Sequence, residues 1–214
     1  MTLGDVLEVL ALLALAGFVL RFHLWRALLV LRPASMHLEA DAPADQLKLP
    51  SELTVLGTGL LKLGFVPLGS HLEKARFGPE QVSYDFAHAE TGTYATLYLG
   101  PSDIGRLYFL TAVQGGKLVL TANHRRPSRE VPGQYLSGSL EHLPVERVFK
   151  AHARRAQELG PFDGAPTLEG RVALGTRWFE GPGAAEVRAI HALGLLWTAG
   201  TVGMVLAALL GRRG

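Results

Sequence analysis

The apolar run from Ile190 to Leu210 constrains this chain more than any other part of its sequence. It reads IHALGLLWTAGTVGMVLAALL, and its one ionisable side chain, His191, lies at its edge. About 20 apolar residues at a helical rise of about 1.5 Å cross a hydrocarbon core of about 30 Å. The run therefore predicts a transmembrane helix. The alternative is a buried helix of a soluble core, which needs a larger protein around it than 214 residues comfortably supply.

A second apolar run, from Leu3 to Leu20, lies near the N-terminus. Asp5 and Glu8 lie at its first edge, and Arg21 follows it. A cleavable signal peptide begins with basic residues and ends in a small-residue cleavage site, so this order of charges favours an uncleaved anchor. Residues 22–31 (FHLWRALLVL) continue the same helix or extend it along the interface, because Trp and Arg favour the headgroup layer.

The basic residues beside the two spans predict how the chain crosses the membrane. Arg21, Arg26 and Arg32 follow the first span, and no Lys or Arg precedes it. Because basic flanks stay in the cytoplasm, we expect both termini outside and the intervening residues in the cytoplasm, at a bacterial inner membrane. Arg212 and Arg213, which follow the second span, oppose this orientation. The absence of cysteine is compatible with a reducing compartment.

The spans divide the chain into four segments. We predict an N-terminal transmembrane anchor with a basic interfacial extension at residues 1–32, a linker at 33–50, a soluble α+β domain at 51–182 and a C-terminal transmembrane helix at 183–214. Residues 33–50 are expected to form a linker because this segment mixes proline, alanine and acidic residues. The many glycines and prolines from Gly160 to Gly183 predict loops and short strands.

Alternating apolar and polar residues predict four strands in the domain. The pattern covers residues 81–88, 93–99, 106–113 and 117–123. The breaks between these runs are short and contain glycine, so neighbouring strands are expected to pair as antiparallel hairpins. The predicted centre of the domain is a four-stranded antiparallel meander.

Two helical patterns flank this meander in the sequence. Ser51 to Leu63 places leucines at helical spacing and is followed by Gly64, a favourable C-terminal cap. Pro144 to Leu159 carries an apolar stripe that includes His152, and Gly160 ends it. We therefore predict an α+β fold, an antiparallel four-stranded meander flanked by helices that pack on one face, with an N-terminal and a C-terminal transmembrane helix.

Charge is unevenly distributed along the domain. Residues 33–104 contain four basic and nine acidic side chains, whereas residues 105–189 contain twelve basic and eight acidic ones. The basic side chains concentrate in the loop after the fourth strand and along the later helix: Arg125, Arg126, Arg129, Arg147, Lys150 and Arg154. This patch suits anionic lipid headgroups or a protein, and a solvated surface is the alternative. Nucleic acid is not expected, since only Tyr135 and Phe149 supply aromatic rings between residues 114 and 155.

Asn123 and His124 precede these arginines at a predicted strand end, where polar side chains can converge on a ligand. They complete the set of candidate binding residues, although a turn-forming asparagine also explains the position. The eight histidines lack the close helical spacing of a zinc site, and His152 is expected to be a hydrogen-bonded core residue. Nucleophile and phosphate-binding motifs are incomplete, so we predict no catalytic set, no metal and no cofactor.

A stripe of small residues, Ala199, Gly203 and Ala207, lies along the second span. Small residues let another helix approach closely, so the stripe is a candidate helix-packing surface. The alternative is simple filler, because glycine and alanine are common in membrane helices.

These observations favour a membrane-anchored protein with a cytoplasmic α+β domain, acting as a protein-binding, scaffolding or accessory subunit of a membrane complex. Two anchors, polarised charge and the lack of a catalytic motif support this hypothesis. The alternative is a membrane-bound enzyme acting on a lipid or small anionic substrate, with Asn123, His124, Arg125 and Arg126 in one concave pocket. The expected partners are membrane lipids and another membrane protein or a second copy of the chain.

Overall fold

The computed structural model of the chain describes residues 3–163 and 166–211, and the chain forms two compact units. The helical unit contains Met1–Met36, Lys74–Pro79 and Gly183–Gly214, and the α+β unit contains His37–Glu73 and Glu80–Pro182. Arg212 and Arg213, which oppose the predicted orientation, lie outside the described residues.

The described residues contain five α-helices and eight strands. The helices are α1 (Leu3–Leu31), α2 (Ser51–Lys62), α3 (Val145–Leu159), α4 (Leu168–Glu180) and α5 (Ala184–Gly211). The strands are β1 (His37–Pro43), β2 (Val66–Lys74), β3 (Glu80–His88), β4 (Thr93–Leu99), β5 (Gly105–Val113), β6 (Lys117–Ala122), β7 (Arg129–Val131) and β8 (Tyr135–Ser139).

The helical unit consists mainly of α1 and α5, which are both long and apolar enough to cross a membrane. The two helices pack antiparallel. Near one end Arg188 Nε donates to the Val30 carbonyl oxygen, 3.3 Å away, and towards the other end Leu13 and Val205 line a shared apolar depression. Because of this arrangement, α1 begins and α5 ends at the same end of the helix pair.

The closest approach of α1 and α5 depends on Gly194. A Cβ atom added at this glycine would lie 2.4 Å from the Cβ of Arg26 on α1, a distance at which one helix must move. The stripe of Ala199, Gly203 and Ala207 has a different environment, because all three residues are exposed. A Cβ atom added at Gly203 would meet nothing within 4 Å. The stripe therefore does not pack against α1.

We expect Gly194→Leu to separate α1 from α5, because overpacking a close contact costs about 1–3 kcal/mol. The measurement is oxidative cross-linking between cysteines introduced at Ala16 and Thr201, which are buried and line the shared depression. Gly194→Leu should slow this cross-linking about tenfold, whereas the matched variant Gly203→Leu should leave it unchanged. Equal rates in the two variants would show that Gly194 does not set the helix contact.

The α+β unit is built on one eight-stranded sheet with the strand order β1-β2-β3-β4-β5-β6-β8-β7. Strands β3 to β6 form an antiparallel meander. After β6 the chain passes beyond the position of β8, forms β7 at the edge, and returns antiparallel to β7, so that β8 is parallel to β6. These central strands confirm the predicted meander, with Thr93–Leu99 found at its predicted limits.

The predicted number of four strands was wrong, because four further strands lack a clear period of two. β1 (HLEADAP) has one buried residue, β2 contains Pro67 and Gly69, and β7 is three residues long. The segment 33–50, expected as a linker, contains β1 and two short 3₁₀ turns. Strand pairing across the sheet, rather than local pattern, orders these segments.

Residues 160–183 were expected to form loops and short strands, but they contain α4. Thr167 caps this helix by accepting a hydrogen bond from the Gly170 amide. Gly170 and Gly175 lower helix propensity and so concealed the helix in the sequence. Gly175 is needed for packing, because an added Cβ atom would lie 2.5 Å from the Leu38 side chain on β1.

The helices cover both faces of the sheet, which corrects the prediction that they pack on one face. α2 and α3 pack on one face around a core cluster that includes Leu60, Phe86, Phe109 and Val148. α4 packs on the opposite face, where Arg171 contacts side chains of the central strands. We call this second surface the α4 face.

His152 on α3 is a core residue, as its place on the apolar stripe predicted. It is fully buried, and its two ring nitrogens bond the hydroxyl oxygens of Thr111 and Thr121 at 2.9 and 3.0 Å. Burial, assisted by the nearby charge of Arg155, lowers the pKa of His152 to about 3. The imidazole is therefore neutral at physiological pH and serves the packing of α3 on the sheet.

Candidate functional site

A row of polar side chains crosses the α4 face on neighbouring strands. Asp85 on β3 lies opposite Thr96 on β4, which in turn lies opposite Tyr108 on β5. The strands alternate their side chains between the two faces, so these residues point away from the α2 and α3 core. Together with three charged side chains they form the buried ionic cluster: His71, Glu73, Asp85, Thr96, Tyr108 and Arg171.

Arg171 reaches from α4 into the centre of this cluster. Its Nε atom donates to Thr96 Oγ1 at 3.0 Å and lies 3.3 Å from Asp85 Oδ1. Its Nη2 atom donates to the Tyr108 hydroxyl oxygen. Thr96 Oγ1 donates in turn to Asp85 Oδ1 at 2.7 Å. The guanidinium thereby joins one helix to three strands.

His71 completes the cluster from β2. Its Nδ1 atom bonds Asp85 Oδ2, and its Nε2 atom lies 3.2 Å from Glu73 Oε1. Burial opposes protonation of His71 and so does the charge of Arg171, but the carboxylates of Asp85 and Glu73 outweigh both and raise its pKa. The carboxyl groups that His71 contacts therefore favour its protonated form, beside the positive charge of Arg171.

Most of the cluster is buried. His71, Asp85 and Thr96 have no exposed surface, and Arg171 is 1 % exposed, while the Glu73 side chain is 20 % exposed. Burial also raises the pKa of Tyr108, which stays a neutral phenol. A His–Asp pair can act as a general base, but both members of this pair are fully buried. The hydrogen bonds of the cluster join α4 to the central strands.

Beside the cluster, half-buried polar side chains and the buried Trp178 form a second group that reaches the surface. We call it the basic rim: Tyr98, Arg106, His124, Arg126 and Trp178. Tyr98 lies opposite Arg106 in the register of β4 and β5, and its hydroxyl bonds His124 Nε2 at 3.1 Å. The Tyr98 ring also packs edge-on to Tyr108, with centroids 6.1 Å apart, which connects the rim to the cluster.

The positive charge of the rim resides on its two arginines. The Arg126 guanidinium lies over the Trp178 ring on α4, 5.0 Å from its centroid, a favourable cation–π geometry. Burial, then the charges of Arg106 and Arg126, lowers the pKa of His124 to about 4. His124 is therefore neutral near pH 7. Two guanidinium groups and a phenol supply hydrogen-bond donors for an anionic group.

The structure brings together only part of the predicted binding set. His124 and Arg126 both belong to the rim. Asn123 Oδ1 accepts hydrogen bonds from the Leu107 amide at 2.8 Å and from His124 Nδ1 at 3.3 Å, so Asn123 supports both the strand end and His124. Arg125 is exposed, and Arg129 lies on the edge strand β7. Asn123, His124, Arg125 and Arg126 therefore do not all converge on one point.

The basic residues of α3 belong to a different surface, because α3 packs on the face opposite the rim. Arg147, Lys150 and Arg154 are all exposed. Lys150 Nζ lies 2.6 Å from Glu146 Oε1, and Arg154 Nε lies 3.8 Å from Glu158 Oε1. These are exposed pairs one helical turn apart, which reduces the positive charge that α3 offers to a ligand.

The sequence analysis missed Tyr98, Arg106, Arg171 and Trp178. The first two had a usable signal, since they occupy the polar positions of otherwise apolar strands. Arg171 and Trp178 had no usable signal in the sequence, because their segment was predicted to form loops and short strands and not a helix. Comparison of the chain with protein-family models, with curated proteins and with solved structures finds no match in any of the three.

Proposed function

We propose that the chain is a membrane-anchored accessory or scaffolding subunit, whose α+β unit binds a partner protein of a membrane complex. The observation that carries this proposal is the contrast between the two polar groups of the α4 face. The groups suited to catalysis, His71 and Asp85, are buried, whereas the rim reaches the surface through the partly exposed side chains of Tyr98, Arg106 and Arg126. Tyrosine and arginine are among the residue types that dominate the binding energy of protein interfaces.

The helical unit supports the anchoring part of the proposal. Because α1 and α5 are antiparallel, a membrane-crossing pair has both termini on the same side. Arg32 and Arg188 lie at the opposite end, where the chain leaves for the α+β unit. Basic residues favour the cytoplasmic side, so we assign the α+β unit to the cytoplasm and the anchor to a bacterial inner membrane.

The chemistry of the rim specifies what the partner contributes. An exposed carboxylate of the partner matches the guanidinium groups of Arg106 and Arg126, since arginine pairs with carboxylates through two parallel hydrogen bonds.

A membrane-bound enzyme acting on a lipid or small anionic substrate is the second candidate. The positive charge around His124 favours it, because the guanidinium groups of Arg106 and Arg126 attract a small anion to the rim. This candidate requires a free anion, rather than a protein carboxylate, to occupy the rim.

We expect Arg126→Glu to reduce co-purification of the partner from native membranes in mild detergent about thirtyfold, as for loss of an interface hot spot. Arg125→Glu is the matched control, because it makes the same change of charge at the exposed neighbouring position. Covalent cross-linking before solubilisation identifies the partner.

Recovery of only lipid and monomer from the unmodified chain would contradict the accessory-subunit proposal. Equal losses in Arg125→Glu and Arg126→Glu would remove the rim from the interface. Binding of inorganic phosphate by the purified protein, lost in Arg126→Glu and without any co-purified partner, would favour the enzyme instead.

A further inference from the structure

The loop between β2 and β3 carries features that the α+β unit does not explain. Residues Lys74–Pro79 of this loop belong to the helical unit. Ala75 is 3 % exposed. A Cβ atom added at Gly78 would lie 3.2 Å from the indole ring of Trp25 on α1. The loop backbone is therefore packed against α1 beside Trp25.

The tip of this loop presents an aromatic side chain to the outside. Phe77 is 64 % exposed and has a φ of 62°, in the left-handed region that bulky residues disfavour. Glycine would relieve this backbone strain, and burial within the chain does not compensate for it. Phe77 is therefore an exposed aromatic side chain at the tip of the loop, available for contact with something outside the chain.

The residues beside the loop indicate where along the membrane-crossing helices the loop lies. Trp25 packs edge-on to His191 of α5 at 5.3 Å between centroids, and the Arg26 guanidinium lies 5.1 Å from the Trp25 ring. Trp and Arg at the end of an apolar helix occupy the interface between hydrocarbon and water. Phe77 thus lies on a loop that reaches the same interface.

The charge of the loop tip specifies the lipid. The Arg76 guanidinium lies 5.2 Å from the Phe77 ring centroid, and both Lys74 and Arg76 are exposed. Basic side chains beside an aromatic residue at the cytoplasmic surface attract anionic headgroups.

We propose that this loop is a third membrane-contacting element, in which Phe77 enters the interface and Arg76 binds the phosphate of an anionic phospholipid. The inference rests on the proposed membrane anchoring by α1 and α5.

The test uses the full-length chain, which has no cysteine, with single cysteines labelled by an environment-sensitive fluorophore in lipid nanodiscs. The lipids are brominated phosphatidylcholine with about one quarter phosphatidylglycerol, to supply anionic headgroups. Phe77→Cys reports on the loop. Leu15→Cys, exposed on α1, reports on the anchor, and Ile104→Cys, exposed between β4 and β5, is the control outside the helical unit.

We expect bromine quenching at positions 15 and 77 and none at position 104. Quenching at 15 without quenching at 77 would overturn the loop contact alone. Absence of quenching at 15 would overturn the proposed anchoring, and the loop contact with it.

Lipid charge is tested in the same system. Arg76→Glu should reduce quenching at position 77 about threefold in anionic nanodiscs and have little effect when phosphatidylcholine is the sole lipid. Arg177→Glu, an exposed arginine of α4, should leave quenching unchanged. Equal quenching in both lipids, unaffected by Arg76→Glu, would overturn recognition of the anionic headgroup.

Discussion

Arg171→Met is expected to destabilise the α+β unit by about 3–5 kcal/mol, because it removes a buried cation that faces the fully buried carboxyl group of Asp85. Asp85 has no exposed surface and lies 3.3 Å from Arg171 Nε. Methionine retains much of the side-chain length, so the loss reports on charge and hydrogen bonding more than on volume. The measurement is urea unfolding of the purified chain, followed by near-ultraviolet circular dichroism.

Arg177→Met provides the matched control on the same helix. Arg177 is exposed, and its Nη2 atom donates to the Gly116 carbonyl oxygen at 3.0 Å. We expect this variant to lose less than about 1 kcal/mol, as is usual for an exposed polar contact. Similar losses in both variants would contradict the central role of Arg171 in the buried ionic cluster.

The double variant Arg171→Met with Asp85→Asn distinguishes the interaction between the two side chains from the effect of losing each side chain alone. Removing both charges avoids the uncompensated carboxylate, so the double variant should be more stable than the sum of the two single losses predicts. Strict additivity would show that Arg171 and Asp85 do not interact.

Acidification from pH 6.5 towards pH 3 is expected to remove several kcal/mol of stability through His152. The pKa of His152 is about 3 in the folded chain, whereas an unfolded histidine has a pKa of about 6.5. Below about pH 6.5 the unfolded chain binds a proton that the folded chain does not, so stability falls by up to about 1.4 kcal/mol per pH unit. The loss stops when the folded imidazole also protonates, near pH 3.

His152→Gln isolates this effect, because glutamine keeps hydrogen-bonding groups near Thr111 and Thr121 but does not titrate. The measurement is the free energy of unfolding of both chains at a series of pH values. The difference between the chains should grow in favour of His152→Gln as the pH falls. A difference that does not change with pH would show that His152 is not buried in its neutral form.

The effect of His71 on the free energy of unfolding has the opposite dependence on pH, and it occurs in a separate range of pH. Its pKa is raised in the folded chain by Asp85 and Glu73, against burial and the charge of Arg171. Its contribution is therefore complete below about pH 6.5, the unfolded value, and is lost as the pH rises through the folded pKa. The two histidines can be separated because His152 acts below that value and His71 acts above it.

Local patterns in the sequence predicted the strands and helices in which apolar residues recur at a regular spacing. β4 alternates between two faces along its whole length, and α3 combines an apolar stripe with Pro144 before it and Gly160 after it. The apolar composition of α5 needed no tertiary context. For these elements burial and local propensity favour the same structure.

The elements that were missed depend on contacts distant in the sequence. β1 is ordered by its position at the sheet edge, and α4 contains two glycines, of which Gly175 is required by its contact with Leu38. The buried ionic cluster is a stronger example, because Arg171 and Thr96 are separated by 75 positions. No local pattern indicates that two such residues share a hydrogen bond.

The candidate site likewise contains residues that local sequence predicted and residues that only the three-dimensional structure brings together. His124 and Arg126 were predicted from their position at a strand end, but Tyr98 enters the site through the hydrogen bond that it forms with His124. The basic residues of α3 were grouped with them by charge alone. Knowledge of which face each element covers separates the two surfaces.

Our main proposal is that α1 and α5 form a membrane-crossing pair with the α+β unit in the cytoplasm. Its most direct test is labelling of single cysteines at Thr2, Ile104 and Gly214 with a maleimide that does not cross membranes, in intact spheroplasts and after permeabilisation. Our account predicts labelling at Thr2 and Gly214 in intact spheroplasts, and labelling at Ile104 only after permeabilisation. Labelling at Ile104 in intact spheroplasts, with both termini protected, would contradict it.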